Sequence, residues 1–213
     1  MTTEIGAEEG IYLVGLARRA IVEYLTGRDR IAVPADAPKG LAAKRGVFVT
    51  LNRLTENGRE LRGCIGFPYP ILPLSDAVIQ SAIEAAIGDP RFPPVAPREM
   101  RQIAIEVSVL TEPREVVVSD RGELPEQIEL GADGLIVERG HRKGLLLPQV
   151  PVEWGWDAEE FLCHCCLKAG LTPDVWLLDG TKIHKFQALV FEEESPEGPV
   201  RRRYLKEEKK ETR

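Results

Sequence analysis

Leu61-Arg62-Gly63-Cys64-Ile65-Gly66, followed by Phe67-Pro68-Tyr69-Pro70, sets one thiol between two glycines and beside an arginine. The residues before it explain the placement. The run 47–54 is rich in β-formers, and Asn57-Gly58 is a strong hairpin signal, because a type I′ turn needs positive φ at both central residues. A second run resumes at Arg59. With Asn57 and Gly58 as a two-residue loop, Glu56 faces Arg59, Leu54 faces Leu61, Arg53 faces Arg62 and Leu51 faces Cys64. Directly opposed residues share a sheet face. That register predicts Cys64 on the apolar side with Val47, Val49 and Leu51, and with Arg53 and Arg62 at its edge. Two guanidinium groups near a thiol favour the thiolate, the nucleophilic form. Gly63 and Gly66 let the backbone bulge there and let a ligand approach its N–H groups. The alternative is a small buried hydrophobe in a strand that bulges at glycine. A bulge at Gly63 would turn Cys64 to the other face, since a one-residue slip reverses every side chain.

Outward from the hairpin, 8–25 reads as a helix with Leu13, Val14, Ala17, Ala20, Ile21, Tyr24 and Leu25 at helical spacing. The loop 27–46 is long enough to be a lid or a surface crossing. After three prolines in 67–73, a second helix is predicted with Ser75 as N-cap, the stripe Val78, Ile79, Ala82, Ile83 and Ala86, and Gly88 at its end. Asp89-Pro90-Arg91-Phe92-Pro93-Pro94 follows. Prolines hold Asp89 and Arg91 in place, which suits a ligand-positioning loop or an internal ion pair bracing a turn. In 103–110, Ile103, Ile105, Val107 and Val109 alternate with Ala104, Glu106 and Ser108, the clearest strand in the chain. Glu106, with Ser108 as its same-face neighbour, faces either solvent or a cleft in which it serves as a base or orients an arginine.

The strands 134–138 and 144–147 are predicted to flank a basic loop, Arg139 to Lys143. Gln149 then sits between prolines, followed by Glu153-Trp154-Gly155-Trp156. A fixed amide and a carboxylate beside two indoles form either a ligand wall or a core anchor. Asp157 and Glu160 make a capping box for a helix with the inner stripe Phe161, Leu162, Cys165 and Ala169. Cys163 and Cys166 would need two further ligands to hold zinc, and no second Cys-x-x-Cys exists, so no metal site is expected. A last strand, 183–191, precedes a charged run, 192–213, expected to be flexible or a solvated helix.

Composition narrows the classes. The 213 residues are 43% hydrophobic with a formal net charge of −6, which argues against general nucleic-acid affinity, since no basic excess replaces counterions on phosphates. Four cysteines, three of them within 163–166, do not resemble a disulfide framework. No apolar run has membrane-spanning length, and the N-terminus lacks signal-peptide character, so a cytoplasmic protein without membrane association is expected. The many charged residues and 16 prolines suggest a thermophilic source. Phosphate-binding loops, dinucleotide fingerprints, zincin motifs and nucleophile elbows are absent from the sequence.

Four ordered motifs carry a resemblance: 61–66, 89–94, Ile105-Glu106-Val107-Ser108-Val109-Leu110 and Gly144-Leu145-Leu146-Leu147-Pro148-Gln149-Val150. With Glu153, Trp156, Phe161, Lys168-Ala169-Gly170-Leu171 and Trp176, they resemble the AMMECR-type domain family over about 11–191. The resemblance implies an α+β fold with a mixed, barrel-like sheet and flanking helices. It implies two related β3α2 units forming a larger and a smaller subdomain with a cleft, and a separate charged tail over 192–213. It brings no established reaction and leaves the cofactor unknown, but implies Memo-type or radical-SAM partner proteins and a redox or modification pathway. The positions matching the motifs are Arg62, Cys64, Asp89, Arg91, Glu106, Gln149 and Glu153. Three readings follow. In the first, an enzyme uses Cys64 as nucleophile, with Arg62 lowering its pKa, Gly63 and Gly66 exposing N–H groups, and Glu106 accepting a proton. In the second, a binding module holds a small anion or nucleotide with Arg62, Arg91 and Gln149, beside Asp89, Ser108, Glu153 and Trp156. In the third, an adaptor binds another protein through the cleft and tail.

Overall fold

The computed structural model describes residues 5–27 and 29–203. In chain order its elements are α1 (Ala7–Leu25), β1 (Val47–Thr55), β2 (Gly58–Phe67), α2 (Leu74–Ile87), β3 (Ile103–Leu110), β4 (Arg114–Glu115), β5 (Asp133–Arg139), β6 (Arg142–Leu146), α3 (Gln149–Trp154), α4 (Ala158–Lys168), β7 (Lys182–Glu193) and β8 (Val200–Arg203). Short 3₁₀ turns occupy Lys39–Ala42, Pro97–Gln102, Arg121–Gln127 and Pro173–Leu177. The fold is α+β, with antiparallel strands and flanking helices, as the resemblance implies. Among the described residues no helix is long and apolar enough to cross a membrane. The chain divides into two compact units, one running up to Leu110 and including Leu189–Arg203, the other Thr111–Ala188.

In the first unit β1 lies between β2 and β3, antiparallel to both. Val47, Val49 and Leu51 face the same side as Val109, Val107 and Ile105, and this side packs against Leu13, Val14, Ala17, Ala20 and Ile21 of α1 and Ala77, Val78 and Ala82 of α2. α2 starts at Leu74 with Pro73 preceding it, so Ser75 is a buried residue of the first turn and not the N-cap. The C-terminal part of β7 pairs with β8, setting Phe191 against Arg202 and Glu192 against Arg201. Val200–Arg203 is therefore a strand, unlike the flexible or helical state expected for it; 204–213 lie outside the described residues. Pairing with β7 and the ion pairs of Arg201 and Arg203 give this apolar-poor segment its order.

The hairpin register differs from the expected one. Thr55 pairs with Gly58, Leu54 with Arg59 and Asn52 with Leu61, and after a bulge Leu51 pairs with Gly63 and Thr50 with Cys64. The turn centres on Glu56-Asn57, and Gly58 supplies the positive φ, 116°, whereas Asn57 stays at negative φ. A single positive-φ glycine after two residues is a different loop from type I′, and it moves the register. The bulge absorbs Arg62. Cys64 accordingly faces away from Val49 and Leu51, on the side of Thr50 and Glu106.

The second unit repeats part of this plan. β5 and β6 form a hairpin, α4 packs over it, and the first half of β7 pairs with β5. Leu135, Val137, Phe161, Leu162, Cys165, Trp176 and Ile183 make its core. In each unit the second hairpin strand carries a glycine where a later helix, α2 or α4, comes close. A Cβ on Gly63 would lie 2.1 Å from the Ala85 carbonyl oxygen of α2, and one on Gly144 2.5 Å from the Ala169 nitrogen and 2.6 Å from the Cys165 oxygen at the end of α4. Burial pushes the thiols of Cys165 and Cys166 up to about 12 and about 11, so both stay neutral packing groups. Among the described residues no group of three or more His, Cys, Asp or Glu could hold a metal ion.

Candidate functional site

β2 is an edge strand, and at Cys64 its outward N–H and C=O are met by a side-chain pair in place of another strand. The Cys64 N–H donates to Asp89 Oδ2 at 2.8 Å, and Arg91 Nη2 donates to the Cys64 carbonyl at 3.4 Å. Asp89 also accepts from the Arg91 backbone N–H (3.1 Å), Nε (3.0 Å) and Nη2 (2.7 Å). Asp89 is 3% exposed, whereas 54% of the Arg91 side chain is open to solvent. Asp89 and Arg91, on either side of Pro90, form a local pair that does brace a turn, and the braced guanidinium still faces outward.

The Arg91 hydrogen bonds hold the Asp89 carboxyl well below its usual range, at about 2, against a cost of burial. A depressed folded-state pKa stabilises the fold above the unfolded value near 4, and that contribution disappears as pH falls from about 4 to about 2. Asp89→Asn should thus cost about 2 kcal/mol at pH 7. The penalty should shrink toward pH 2, as read from urea midpoints of the two proteins.

On the sheet face Cys64, Thr50 and Glu106 lie in one row across β2, β1 and β3. Thr50 Oγ1 is 3.4 Å from Cys64 Sγ, Ser108 Oγ is 3.4 Å from Glu106 Oε1, and Arg203 Nη1 donates to Glu106 Oε2 at 3.2 Å. Glu106 and Ser108 are both buried, so neither faces solvent. Burial raises the Glu106 pKa, Arg203 opposes this, and the neighbouring Glu192 carboxylate adds to it. Burial likewise raises the Cys64 thiol; the Thr50 hydrogen bond and Arg91 pull it down, and Glu106 and Asp89 push it further up.

Arg62 stands apart from the thiol. Its Nε donates to Glu99 Oε2 at 3.0 Å and its Nη2 to the Pro94 carbonyl at 3.4 Å, and the side chain is buried. The bulge that shifts the hairpin turns it there, so the expected lowering of the Cys64 pKa by Arg62 is corrected to a raised thiol. Gly63 and Gly66 are also corrected. The space at their Cα atoms is filled by the Ala85 carbonyl of α2 in one case, and by the Val47 carbonyl (2.2 Å from a built Cβ) and the Phe48 ring (2.6 Å) in the other. Their missing side chains make room for the protein's own packing, the Ala85 backbone at one and the Val47 backbone and Phe48 ring at the other.

Gln149, Glu153 and Trp156 belong to the second unit. Gln149, expected between prolines at the end of a strand, opens α3, and its Oε1 is buried with no hydrogen-bond partner. Trp156 stacks on the His164 ring at 3.7 Å and 1°, and Trp154, 71% exposed, stacks on Trp156 at 5.9 Å and 20°. The indoles are thus a stack whose outer ring, Trp154, is exposed and whose inner ring, Trp156, packs against the core of the second unit. Thr50, Arg203 and Glu192 escaped the sequence reading. Thr50 follows only when the turn at Gly58 is combined with the bulge that the glycine after Arg62 allows; Arg203 and Glu192 carry no local signal.

The chain as a whole is similar to known proteins. A model of the AMMECR1 family matches residues 14–191. Protein PF1979 of Pyrococcus furiosus is 59% identical over 200 residues, covering 93% of this chain and 94% of its own. MK0488 of Methanopyrus kandleri is 56% identical over 209 residues, covering 98% and 100%. The thermophilic origin of such relatives fits the charge-rich composition. The crystal structure of the uncharacterised protein PH0010 from Pyrococcus horikoshii superposes with a TM-score of 0.88 at 55% identity, over 94% of this chain and 98% of that one. Because the family match takes in β1 to β3, the Asp89–Arg91 turn and the whole second unit, the chain belongs to the AMMECR1 family.

Proposed function

We propose that the first unit is a binding module for a small anionic ligand, a carboxylate or phosphate, held by Arg91 with the neutral Cys64 thiol beside it. The observation that carries this reading is the braced yet exposed Arg91 guanidinium: Asp89 fixes its orientation through Nε and Nη2 and leaves other N–H groups pointing to solvent. A pre-oriented guanidinium loses little entropy on binding and offers charge-assisted hydrogen bonds to planar oxyanions. Arg62, engaged by Glu99, leaves the proposed ligand set. Titration of inorganic phosphate should raise the Tm of the wild type and of Cys64→Ser alike, and should leave Arg91→Gln unmoved. Stabilisation that survives in Arg91→Gln would contradict the reading.

The nucleophile reading keeps one observation in its favour, the contact of Thr50 with the Cys64 sulfur in the same row as Glu106. There Glu106 would take the thiol proton through the Thr50 hydroxyl. A thiol raised by burial and by two nearby carboxylates opposes ionisation, which is why the binding reading is preferred. Memo-type or radical-SAM partners would supply chemistry that this site lacks by itself.

A further inference from the structure

One face of α1 carries Tyr12, Gly15, Leu16 and Arg19, at i, i+3, i+4 and i+7, and with Pro34 and Asp36 these residues line a cavity of about 220 Å³. The opposite face of the helix holds the core residues Leu13, Val14, Ala17, Ala20 and Ile21. Pro34 and Asp36 come from the long segment between α1 and β1, where a turn closed by the Ala37 N–H on the Pro34 carbonyl (3.1 Å) holds Asp36 in place.

Two features mark this cavity as open to an occupant. Gly15 sits in the middle of a 19-residue helix, where glycine is unfavourable, yet a Cβ built on it meets nothing within 4 Å. Packing does not require that glycine; the open space beside it is the cavity. Finally, Asp36 and Arg19 place opposite charges on the lining without pairing with each other, and the only ion pair of Arg19 among the described residues is a single Nε contact to Glu23 at 3.3 Å.

We infer that this cavity binds a small zwitterion with an aliphatic body, of the free α-amino acid class. Asp36 receives the ammonium, Arg19 receives the carboxylate, and Leu16, Pro34 and the Tyr12 ring enclose the apolar body. The volume lies below the usual range for drug-sized ligands, which sets the size of the occupant.

L-Leucine is the probe, titrated into the full chain by calorimetry, with isopentylamine (leucine without its carboxylate) and 4-methylpentanoate (leucine without its ammonium) as one-ended controls. Saturable leucine binding is expected, weaker by about tenfold for each control, because each loses one charged hydrogen-bonded contact. Gly15→Leu should abolish binding while its Tm holds or rises, since the helix loses a glycine and gains no clash. Asp36→Asn should bring leucine down to the level of 4-methylpentanoate, and Arg91→Gln should leave leucine binding intact, separating this site from the proposed anion site. Absence of saturable leucine binding, a control that binds as well as leucine, or wild-type affinity in Gly15→Leu would each overturn the inference.

Discussion

Gly63→Ala should cost about 3 kcal/mol of stability, because the added methyl has no room in a packed interior. Its Cβ would stand 2.1 Å from the carbonyl oxygen of Ala85, a backbone atom of α2 that moves only if the helix moves. The consequence reaches the candidate site, since α2 ends one residue before the turn that carries Asp89 to the Cys64 N–H. A displaced α2 takes Asp89 and Arg91 with it. The expected observation is a large drop in urea midpoint together with loss of phosphate stabilisation in whatever fraction remains folded. Gly144→Ala should destabilise comparably through the Ala169 and Cys165 backbone of α4, without that link to Arg91. Gly15→Ala, in open space, should instead gain up to about 1 kcal/mol.

Arg18→Met is the second large effect, with an expected loss of about 3–5 kcal/mol. Arg18 Nε donates to Glu193 Oε1 at 2.6 Å and its Nη2 to the Ile103 carbonyl at 2.6 Å, while the same carboxylate accepts the Ile105 N–H at 2.9 Å. Glu193 is 3% exposed. Removing the guanidinium leaves a buried carboxylate with one backbone donor, which costs far more than the pair itself contributes. Arg18→Met combined with Glu193→Gln should recover a substantial part of the loss, because the amide oxygen still accepts from Ile105 and no charge is stranded. A double-mutant cycle by urea denaturation reads this directly; equal losses in the single and double variants would contradict it.

The elements were legible where one periodicity dominated. Strand 103–110 and helix α4 with its Asp157–Glu160 box appear as the residues predict, because alternation over eight residues and a reciprocal cap each have a single structural solution. The hairpin was legible as a hairpin but not in register: the turn at Gly58 shifts the pairing by two residues and keeps each side chain on its face, whereas the one-residue bulge that absorbs Arg62 turns Cys64 from the core face to the face of Glu106. The duplication of hairpin and helix was invisible, since all that the two copies share at the crossing point is a glycine, Gly63 or Gly144. Strand β8 was missed because its order comes from Glu192, Glu106 and the β7 backbone, partners distant in sequence. Arg62 is near Cys64 in sequence, but it is the bulged residue and its side chain goes to Glu99.

The most direct test of the account is the rate of iodoacetamide labelling at Cys64 against pH, read by peptide mass spectrometry, with and without inorganic phosphate, in the wild type and in Arg62→Ala. A neutral thiol beside an anion-binding guanidinium predicts a midpoint above the ordinary thiol value of about 8.5, slower labelling with phosphate present, and no change of midpoint in Arg62→Ala. A midpoint well below that value, rising in Arg62→Ala and indifferent to phosphate, would contradict it and make Cys64 an activated nucleophile.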